Sequence, residues 1–277
     1  MTTGRATTET AGQSGVQKDE EATEMSTSTG GQGPLEGAVI AVAGAAGPAG
    51  RATLLRLAEA GATVVGCDAD AERLAEAVDA ARYAHGGAKV IGDTVDLLDP
   101  EQTREWAGRT EKEFGRIDGL VHLVGGWRGS KTFAETDLRD WDLLHNLLVR
   151  TVQHTSLAFH EGLQRSGNGR FLLISAAGAS KPTAGNAAYA ASKAAAEAWT
   201  LALADAFRKA GGEEGPRAAA AILVVKALVN EQMRAERPNA KFAGFTDVAE
   251  LAEAIAGVWG RPAREVNGKR LWLTPEP

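Results

Sequence analysis

Short apolar runs alternate with amphipathic stretches from Gly37 to the end of the chain. The apolar runs predict seven β-strands, at 38–42, 63–65, 89–91, 120–124, 171–174, 221–225 and 271–273. The stretches between them predict helices near 50–60, 70–84, 100–114, 137–165, 187–210 and 246–259. Buried strands that alternate with helices are typical of a parallel sheet covered on both faces. We therefore expect an α/β protein: a single Rossmann-like, doubly wound domain over residues 35–277, with a seven-stranded parallel sheet and helices on both faces.

Residues 1–34 differ from the rest of the chain. They are rich in Thr, Gly, Gln and Glu, contain no aromatic residue, and carry large apolar side chains only at Met1, Val16 and Met25. Such a segment cannot bury enough surface to offset the entropy lost on ordering. We therefore expect a disordered N-terminal tail, which is either passive or an arm that binds a partner.

Composition and charge narrow the function classes. The 277 residues carry 30 basic and 36 acidic side chains, and this net charge of −6 argues against a nucleic-acid partner. The single cysteine, Cys67, excludes a disulfide framework, and the histidines lack ligand spacing, so we expect no metal site. The N-terminus has no apolar signal-like stretch, and no run of ~20 apolar residues occurs. A cytoplasmic protein without a membrane partner is the expectation.

A glycine-rich turn follows the first predicted strand. Gly44, Gly47 and Gly50 are interleaved with Pro48 and Ala49 and lead directly into the first predicted helix. Glycines let the backbone turn sharply and approach a pyrophosphate, and the free N–H groups at a helix start attract that anion. The turn therefore predicts a dinucleotide-binding site. A tight turn that only packs the helix against the strand is the alternative.

The second predicted strand ends at Cys67 and Asp68. Asp68 lies 24 residues past Gly44, close to the ~20 expected for the acid that accepts hydrogen bonds from the adenosine ribose. Its carboxylate would repel a 2′-phosphate, and no Arg or Lys occurs at 45–49 or 69–71 to neutralise one. NAD(H) is therefore favoured over NADP(H), although Asp68 could instead only cap the next helix. We interpret Cys67 as a packed thiol.

Tyr189 and Lys193 lie near the start of a long Ala-rich helix. Their four-residue spacing places both side chains on one helix face. A phenol normally has a pKa of about 10, and a nearby ammonium stabilises the phenolate. We therefore expect the pKa of Tyr189 to be lowered, which would make the phenol a proton donor or acceptor near neutral pH.

These features together resemble the short-chain dehydrogenase/reductase family over residues 36–274. The matching positions are the glycine turn, Asp68, Asp96, Leu97, Gly125, Tyr189 and Lys193. The resemblance implies an NAD(P)-dependent oxidoreductase that acts on a small molecule. It also implies a homodimer or homotetramer, because the equivalents of the helices at 141–163 and 187–207 pair across a two-fold axis in that family.

The same resemblance implies roles for individual residues. Tyr189 would be the general acid/base, and Lys193 would bind the ribose hydroxyls and tune the phenol. Asp96 and Leu97 would flank the adenine, and Gly125 would belong to the coenzyme-binding set. None of these roles follows from spacing alone.

The chain departs from the usual family pattern at two catalytic positions. The usual serine lies 13 residues before the tyrosine, and that position is Ala176. Ser175 is one residue too early, which on a strand points it to the opposite face. The usual asparagine aligns with Leu148, and Asn146 lies about 200° away around the helix.

One branch of the family, the quinonoid dihydropteridine reductases, is similar in lacking the serine and in having Gly-Gly-Trp after the fourth strand, as in Gly125-Gly126-Trp127. This implies hydride transfer to a small planar electrophile such as a quinonoid dihydropterin, with Trp127 as a stacking wall. Trp127 could instead be a packed loop anchor.

Two alternatives stay open for the function. One is a ketone/alcohol oxidoreductase of secondary metabolism in which Ser175 or a water replaces the serine, and the other is a non-catalytic NAD(H)-binding sensor.

Overall fold

The computed structural model describes Met1 and residues 33–276. The strands are β1 Val39–Ala43, β2 Thr63–Asp68, β3 Val90–Thr94, β4 Gly119–His122, β5 Arg170–Ala176, β6 Ala219–Val225, β7 Leu228–Val229, β8 Thr246–Asp247 and β9 Arg270–Trp272. The helices are α1 Pro48–Glu59, α2 Ala71–Ala84, α3 Pro100–Phe114, α4 Leu138–His145, α5 Thr151–Arg165, α6 Ala187–Ala210, α7 Glu231–Glu236, α8 Val248–Gly257 and α9 Ala263–Val266.

A seven-stranded parallel sheet forms the centre of the described chain. Its strand order is β3-β2-β1-β4-β5-β6-β9, and every neighbouring pair is parallel. The strand order reverses between β1 and β4, which opens a crevice at the carboxyl ends of these two strands. The predicted fold class is confirmed, because each predicted strand of the sheet and each long predicted helix is present.

Helices cover both faces of this sheet. On one face, Leu54 of α1 and Leu251 of α8 pack against the sheet in a common apolar cluster. On the other, Trp106 of α3 meets Phe159 of α5 edge-on, with ring centroids 4.8 Å apart, and Phe207 of α6 completes the cluster. Because β5 and β6 are covered on both faces, all of their residues are buried. This burial explains why the two strands appear in the sequence as continuous apolar runs.

The structure adds detail where the sequence predicted one long helix at 137–165. A π-helical turn at 146–150 separates α4 from α5 in this stretch. The small β7–β8 sheet and the short α7 that follow β6 were not predicted, since each is too short to produce a periodic pattern. Of the predicted tail, residues 2–32 lie outside the described residues. No helix of the described residues has the length and apolar character needed to cross a membrane.

Candidate active site

A cavity of about 650 Å³ lies at the carboxyl ends of the central strands. Eight residues that the sequence predicts to bind coenzyme or substrate or to take part in catalysis line it: Gly44, Gly47, Pro48, Ala49, Gly125, Trp127, Tyr189 and Lys193. They come from the turn after β1, the loop after β4 and the start of α6. Asp68, Asp96 and Leu97 do not line this cavity.

The glycine turn brings the backbone of β1 and the start of α1 into close contact. Gly44 has a φ of +83°, and a Cβ there would lie 2.8 Å from the backbone nitrogen of Val124. A Cβ on Gly50 would lie 2.2 Å from the carbonyl oxygen of Gly44. No side chain can fit at either position, so these two glycines are required by the packing of the turn itself.

The amino end of α1 has the properties of an anion site. Its N-cap is Gly47, which provides no side-chain hydrogen bond to the first turn, and Pro48 and Ala49 follow it along the cavity wall. By contrast, α2 and α3 begin at Asp70 and Asp99, whose carboxylates accept from the backbone N–H groups of the first turn. The uncapped N–H groups and dipole of α1 therefore fit the pyrophosphate of a dinucleotide.

Asp68 organises the same turn from the end of β2. Its Oδ2 accepts a hydrogen bond from the backbone N–H of Ala46 at 3.1 Å, and its Oδ1 accepts one from Asp70 at 3.2 Å. The carboxylate that caps α2 belongs to Asp70, so the capping alternative for Asp68 is wrong. Asp68 is half-buried and stays available to a ribose hydroxyl only on its remaining acceptor positions.

Two arginines approach Ala46 from outside the sequence windows that favoured NAD(H). The Nε of Arg51 donates to the carbonyl oxygen of Ala46 at 3.1 Å, and Nη2 of Arg73 approaches the same oxygen at 3.4 Å. Arg51 is also paired with Glu76 at 2.9 Å. The sequence gives no local signal for this pair, because Arg51 and Arg73 are 22 residues apart and meet only through packing of α1 on α2. Two positive side chains therefore contact the same residue, Ala46, whose N–H donates to the Asp68 carboxylate.

Asp96 and Leu97 lie in the loop that follows β3. Asp96 is exposed, and its Oδ1 accepts from the backbone N–H of Leu98 at 2.9 Å. Leu97 is buried, and its carbonyl oxygen lies 2.9 Å from Nδ1 of His154 on α5. The structure thus gives both residues local contacts that shape this loop.

Tyr189 and Lys193 face the cavity together from the first turns of α6. Burial raises the pKa of Tyr189 to about 12. Burial lowers the pKa of Lys193 to about 8, and the Glu197 carboxylate opposes that shift. The ammonium of Lys193 donates to the carbonyl oxygen of Ile174 at 2.8 Å.

The expected lowering of the Tyr189 pKa is wrong. Desolvation of the phenolate outweighs any stabilisation by Lys193, whose Nζ is bound to a carbonyl of β5. A phenol with a pKa of about 12 is protonated at neutral pH. Tyr189 therefore carries the proton that a general acid donates.

The two positions that depart from the family pattern have apolar side chains, and both side chains are buried in the structure. Ala176 is buried at the end of β5, and Leu148 is buried in the π-helical turn, while Asn146 is exposed. The hydroxyl of Ser175 donates to Oε1 of Glu197 at 2.6 Å. That bond disfavours Ser175 as a replacement for the missing serine.

His122 and Ser192 are buried polar residues that sequence reasoning did not place at the site. His122 ends β4, where it is in register with Ala43 and Leu173, and the nearby charge of Lys193 together with burial lowers its pKa to about 3. Neither ring nitrogen of His122 nor the Ser192 hydroxyl has a hydrogen-bond partner among the described residues. His122 is therefore neutral at physiological pH.

Further residues line the cavity besides the glycine turn and the Tyr189–Lys193 pair. Trp127 is 61% exposed and stands in the loop after β4. Asn186, Asn230 and Met233 line the cavity from the start of α6 and from the loop and short helix that follow β6. The segment after β6 shows no periodic pattern, and its sequence signal is the similarity of residues 230–234 to the polar loop that the quinonoid dihydropteridine reductases have after their sixth strand. Cys67 is buried, as expected of a packed thiol, and burial raises the pKa of that thiol.

One family model and several curated proteins are similar to this chain in sequence. A family model described as short chain dehydrogenase matches residues 38–211. The chain is 31% identical over 177 residues to the (2S)-[(R)-hydroxy(phenyl)methyl]succinyl-CoA dehydrogenase subunit BbsD of Thauera aromatica, covering 64% of this chain and 70% of that protein. It is 31% identical over 160 residues to the 3-oxoacyl-[acyl-carrier-protein] reductase of Thermotoga maritima, covering 58% of this chain and 64% of that protein.

A solved structure is similar over most of the chain. It is the NADPH-bound short-chain oxidoreductase of Pseudomonas aeruginosa PAO1, which is described as containing an atypical catalytic center. The TM-score is 0.76 at 26% sequence identity, with 85% of this chain and 94% of that chain covered.

Substitution of Gly50 tests the packing of the glycine turn, and substitution of Gly47 tests the approach of a ligand to that turn. We expect Gly50→Ala to destabilise the fold, because its Cβ would overlap the Gly44 carbonyl at 2.2 Å. The Cβ of Gly47→Ala meets protein atoms no closer than 3.6 Å, so this variant should fold but lose affinity for NADH. Thermal unfolding and NADH fluorescence titration measure the two effects, and equal stability of both variants would contradict the packing argument.

Proposed function

Since the chain belongs to the short-chain dehydrogenase family and is an oxidoreductase of that family, we propose that it uses NADH to reduce a small planar electrophile such as a quinonoid dihydropterin. The observation that carries this proposal is the composition of one cavity. It combines an uncapped helix start and the Tyr189–Lys193 pair with an apolar Ala176 where a hydroxyl is usual.

In this proposal α1 and Lys193 bind the coenzyme, and Tyr189 transfers the proton. The backbone N–H groups at the start of α1 would hold the pyrophosphate, and Lys193 would bind the ribose next to the nicotinamide. When bound, the coenzyme supplies the hydride. Tyr189 supplies the proton, and its raised pKa keeps that proton in place until the substrate develops negative charge. This protonation state suits the reductive direction.

The missing serine favours a conjugated substrate over an isolated ketone. Reduction of a ketone develops an alkoxide, which a second hydroxyl donor would stabilise. Neither Ala176 nor Leu148 can donate such a hydrogen bond. A quinonoid pterin is already electron-poor and delocalises the incoming charge, so one proton donor suffices. Trp127, exposed at the cavity mouth, would stack on a flat ring of this kind.

One observation favours a second candidate function. Because two of the four usual catalytic positions are apolar, the chain could bind NAD(H) as a sensor and turn nothing over. A ketone/alcohol oxidoreductase in which Ser175 replaces the serine is less well supported, since the Ser175 hydroxyl is bonded to Glu197. Turnover measurements distinguish the candidates directly.

The proposed reaction is tested by following NADH absorbance with quinonoid dihydropterin and, separately, with a panel of ketones. We expect turnover of the pterin, and we expect Tyr189→Phe to lower kcat by about 10²–10⁴-fold while the Kd for NADH stays unchanged, because only the proton donor is lost. Tyr83→Phe is the matched control, since Tyr83 is the other tyrosine of the chain and is exposed on α2.

The outcomes separate the three functions. Turnover of ketones alone would replace the pterin proposal, and tight NADH binding without turnover on any substrate would favour the sensor. Undiminished turnover in Tyr189→Phe would remove this phenol from the mechanism.

Coenzyme choice is proposed to depend on the Asp68 carboxylate. We expect Asp68→Ala to relax the NADH preference by about tenfold or more, because a nearby 2′-phosphate would no longer meet a negative charge while Arg51 and Arg73 remain. Asp68→Asn keeps an acceptor for the Ala46 N–H and should relax it similarly. The measurement is the ratio of kcat/KM for NADH and NADPH. Asp70→Ala, which removes only the α2 cap, should leave this ratio unchanged, and an unchanged ratio in both Asp68 variants would exclude the ribose contact.

We also propose a homodimer or homotetramer that assembles through the helices at 141–163 and 187–207, which are α4, α5 and α6. Leu138 and Leu143 on α4 and Leu157 on α5 are exposed apolar side chains. Such residues gain from burial against a second copy. Light scattering after size exclusion should show a mass of two or four chains, and Leu157→Glu should lower it. Tyr83→Glu, at an exposed aromatic on α2, should not, and a monomeric wild-type protein would contradict the proposal.

A further inference from the structure

A buried carboxylate lies one helical turn beyond Lys193. Glu197 of α6 is only 4% exposed. Its Oε1 accepts from the Ser175 hydroxyl at 2.6 Å, and its Oε2 accepts from Nε of Arg270 at 2.7 Å. Three elements, α6, β5 and β9, therefore meet at this one side chain.

Consecutive residues of β5 bind the two polar side chains of α6. The carbonyl oxygen of Ile174 accepts from Lys193, and the hydroxyl of Ser175 donates to Glu197. The strand thus fixes the ammonium, which lines the cavity, and the buried carboxylate through adjacent residues. Tyr189, Lys193 and Glu197 form one stripe, because residues four apart share a helix face.

Stability alone does not account for this arrangement. Removing a carboxylate from water is costly, and apolar residues of similar size commonly stabilise a fold as well as a buried ion pair does. Arg270 compensates the charge of Glu197 only partly, since its side chain is 40% exposed while that of Glu197 is 5% exposed. A buried negative charge next to a buried ammonium has an electrostatic effect on that ammonium.

We infer that Glu197 is a positioning residue whose buried carboxylate, one helical turn from Lys193, keeps that side chain an ammonium at the cavity. Ser175 and Arg270 hold that carboxylate in turn. The inference rests on the proposed role of Lys193 at the coenzyme ribose, where a charged ammonium with a fixed direction is needed.

The charges around Lys193 support this role. On α6 the facing groups are Tyr189, which is neutral, and Glu197. From β4 the facing group is His122, which burial and the charge of Lys193 keep neutral. Arg270 of β9 reaches this region only through Glu197. Glu197 is therefore the negative charge, among the described residues, that acts against the desolvation of Lys193.

The pH dependence follows from the sign of these effects. Lys193 is charged below its pKa of about 8, so affinity for NADH should be retained at lower pH and lost as pH rises through that value. Glu197→Gln removes the opposing negative charge and lowers the pKa of Lys193 further. We expect the midpoint of this alkaline loss to move down by about one pH unit or more, with wild type and variant converging at acidic pH.

The experiment measures the Kd for NADH against pH in the full-length protein. The pKa of Lys193 is measured independently by NMR of ¹³C-labelled lysine, with the resonance assigned from Lys193→Arg. Glu197→Asp keeps the charge and should restore part of the shift. If Glu197→Gln folds poorly, Glu197→Gln combined with Arg270→Gln removes both charges and should still lower the midpoint.

A matched control distinguishes a positioning role from a structural one. Asp118 is also a buried carboxylate with an arginine and a serine as partners, Arg116 and Ser166, but it lies at the amino end of the central strand β4. We expect Asp118→Asn to lower the melting temperature without moving the pH midpoint. A Glu197→Gln variant that behaves in the same way would overturn the inference.

The two proposals fail in different ways. A wild-type protein that binds no NADH at any pH would contradict the proposed function, while the NMR titration would still decide whether Glu197 raises the pKa of Lys193. Normal NADH binding with the same Lys193 pKa in wild type and Glu197→Gln would overturn only the role of Glu197.

Discussion

The site depends on one close contact of backbone with backbone, between the end of β1 and the start of α1. A Cβ on Gly50 would lie 2.2 Å from the Gly44 carbonyl oxygen, so α1 can begin at the sheet edge only because neither residue has a side chain. This contact directs the uncapped amino end of α1 into the crevice where the strand order reverses. The proposed anion site would therefore be a consequence of how tightly the first helix packs on the sheet.

Burial has opposite effects on the two polar groups at the other end of the cavity. It raises the pKa of Tyr189 to about 12 and lowers that of Lys193 to about 8, because in both cases the charged form loses hydration. The phenol is thus left with its proton, while the ammonium comes close to losing its own. The carboxylate of Glu197, fixed by β5 and β9, opposes that loss.

Much of the candidate site could be predicted because its signals are local. The glycine turn, the four-residue spacing of Tyr189 and Lys193, and the departures at Ala176 and Leu148 are all legible within a few residues of a predicted element. The direction of the Tyr189 pKa could not be predicted in the same way. Spacing indicates that an ammonium is near, but the balance between its attraction and desolvation depends on how deeply the surrounding helices bury the phenol.

Periodicity by itself determined the parallel sheet, the helices on both faces and the order in which they follow one another, because alternation of buried strands and amphipathic helices is a property of neighbouring residues. Only the tertiary structure brought Arg51 and Arg73 together at Ala46, and Arg270 to Glu197 across 73 residues of chain. It also divided the helix predicted at 137–165 by a π-helical turn. Charge pairing and depth of burial depend on contacts between distant segments, and no local pattern encodes such contacts.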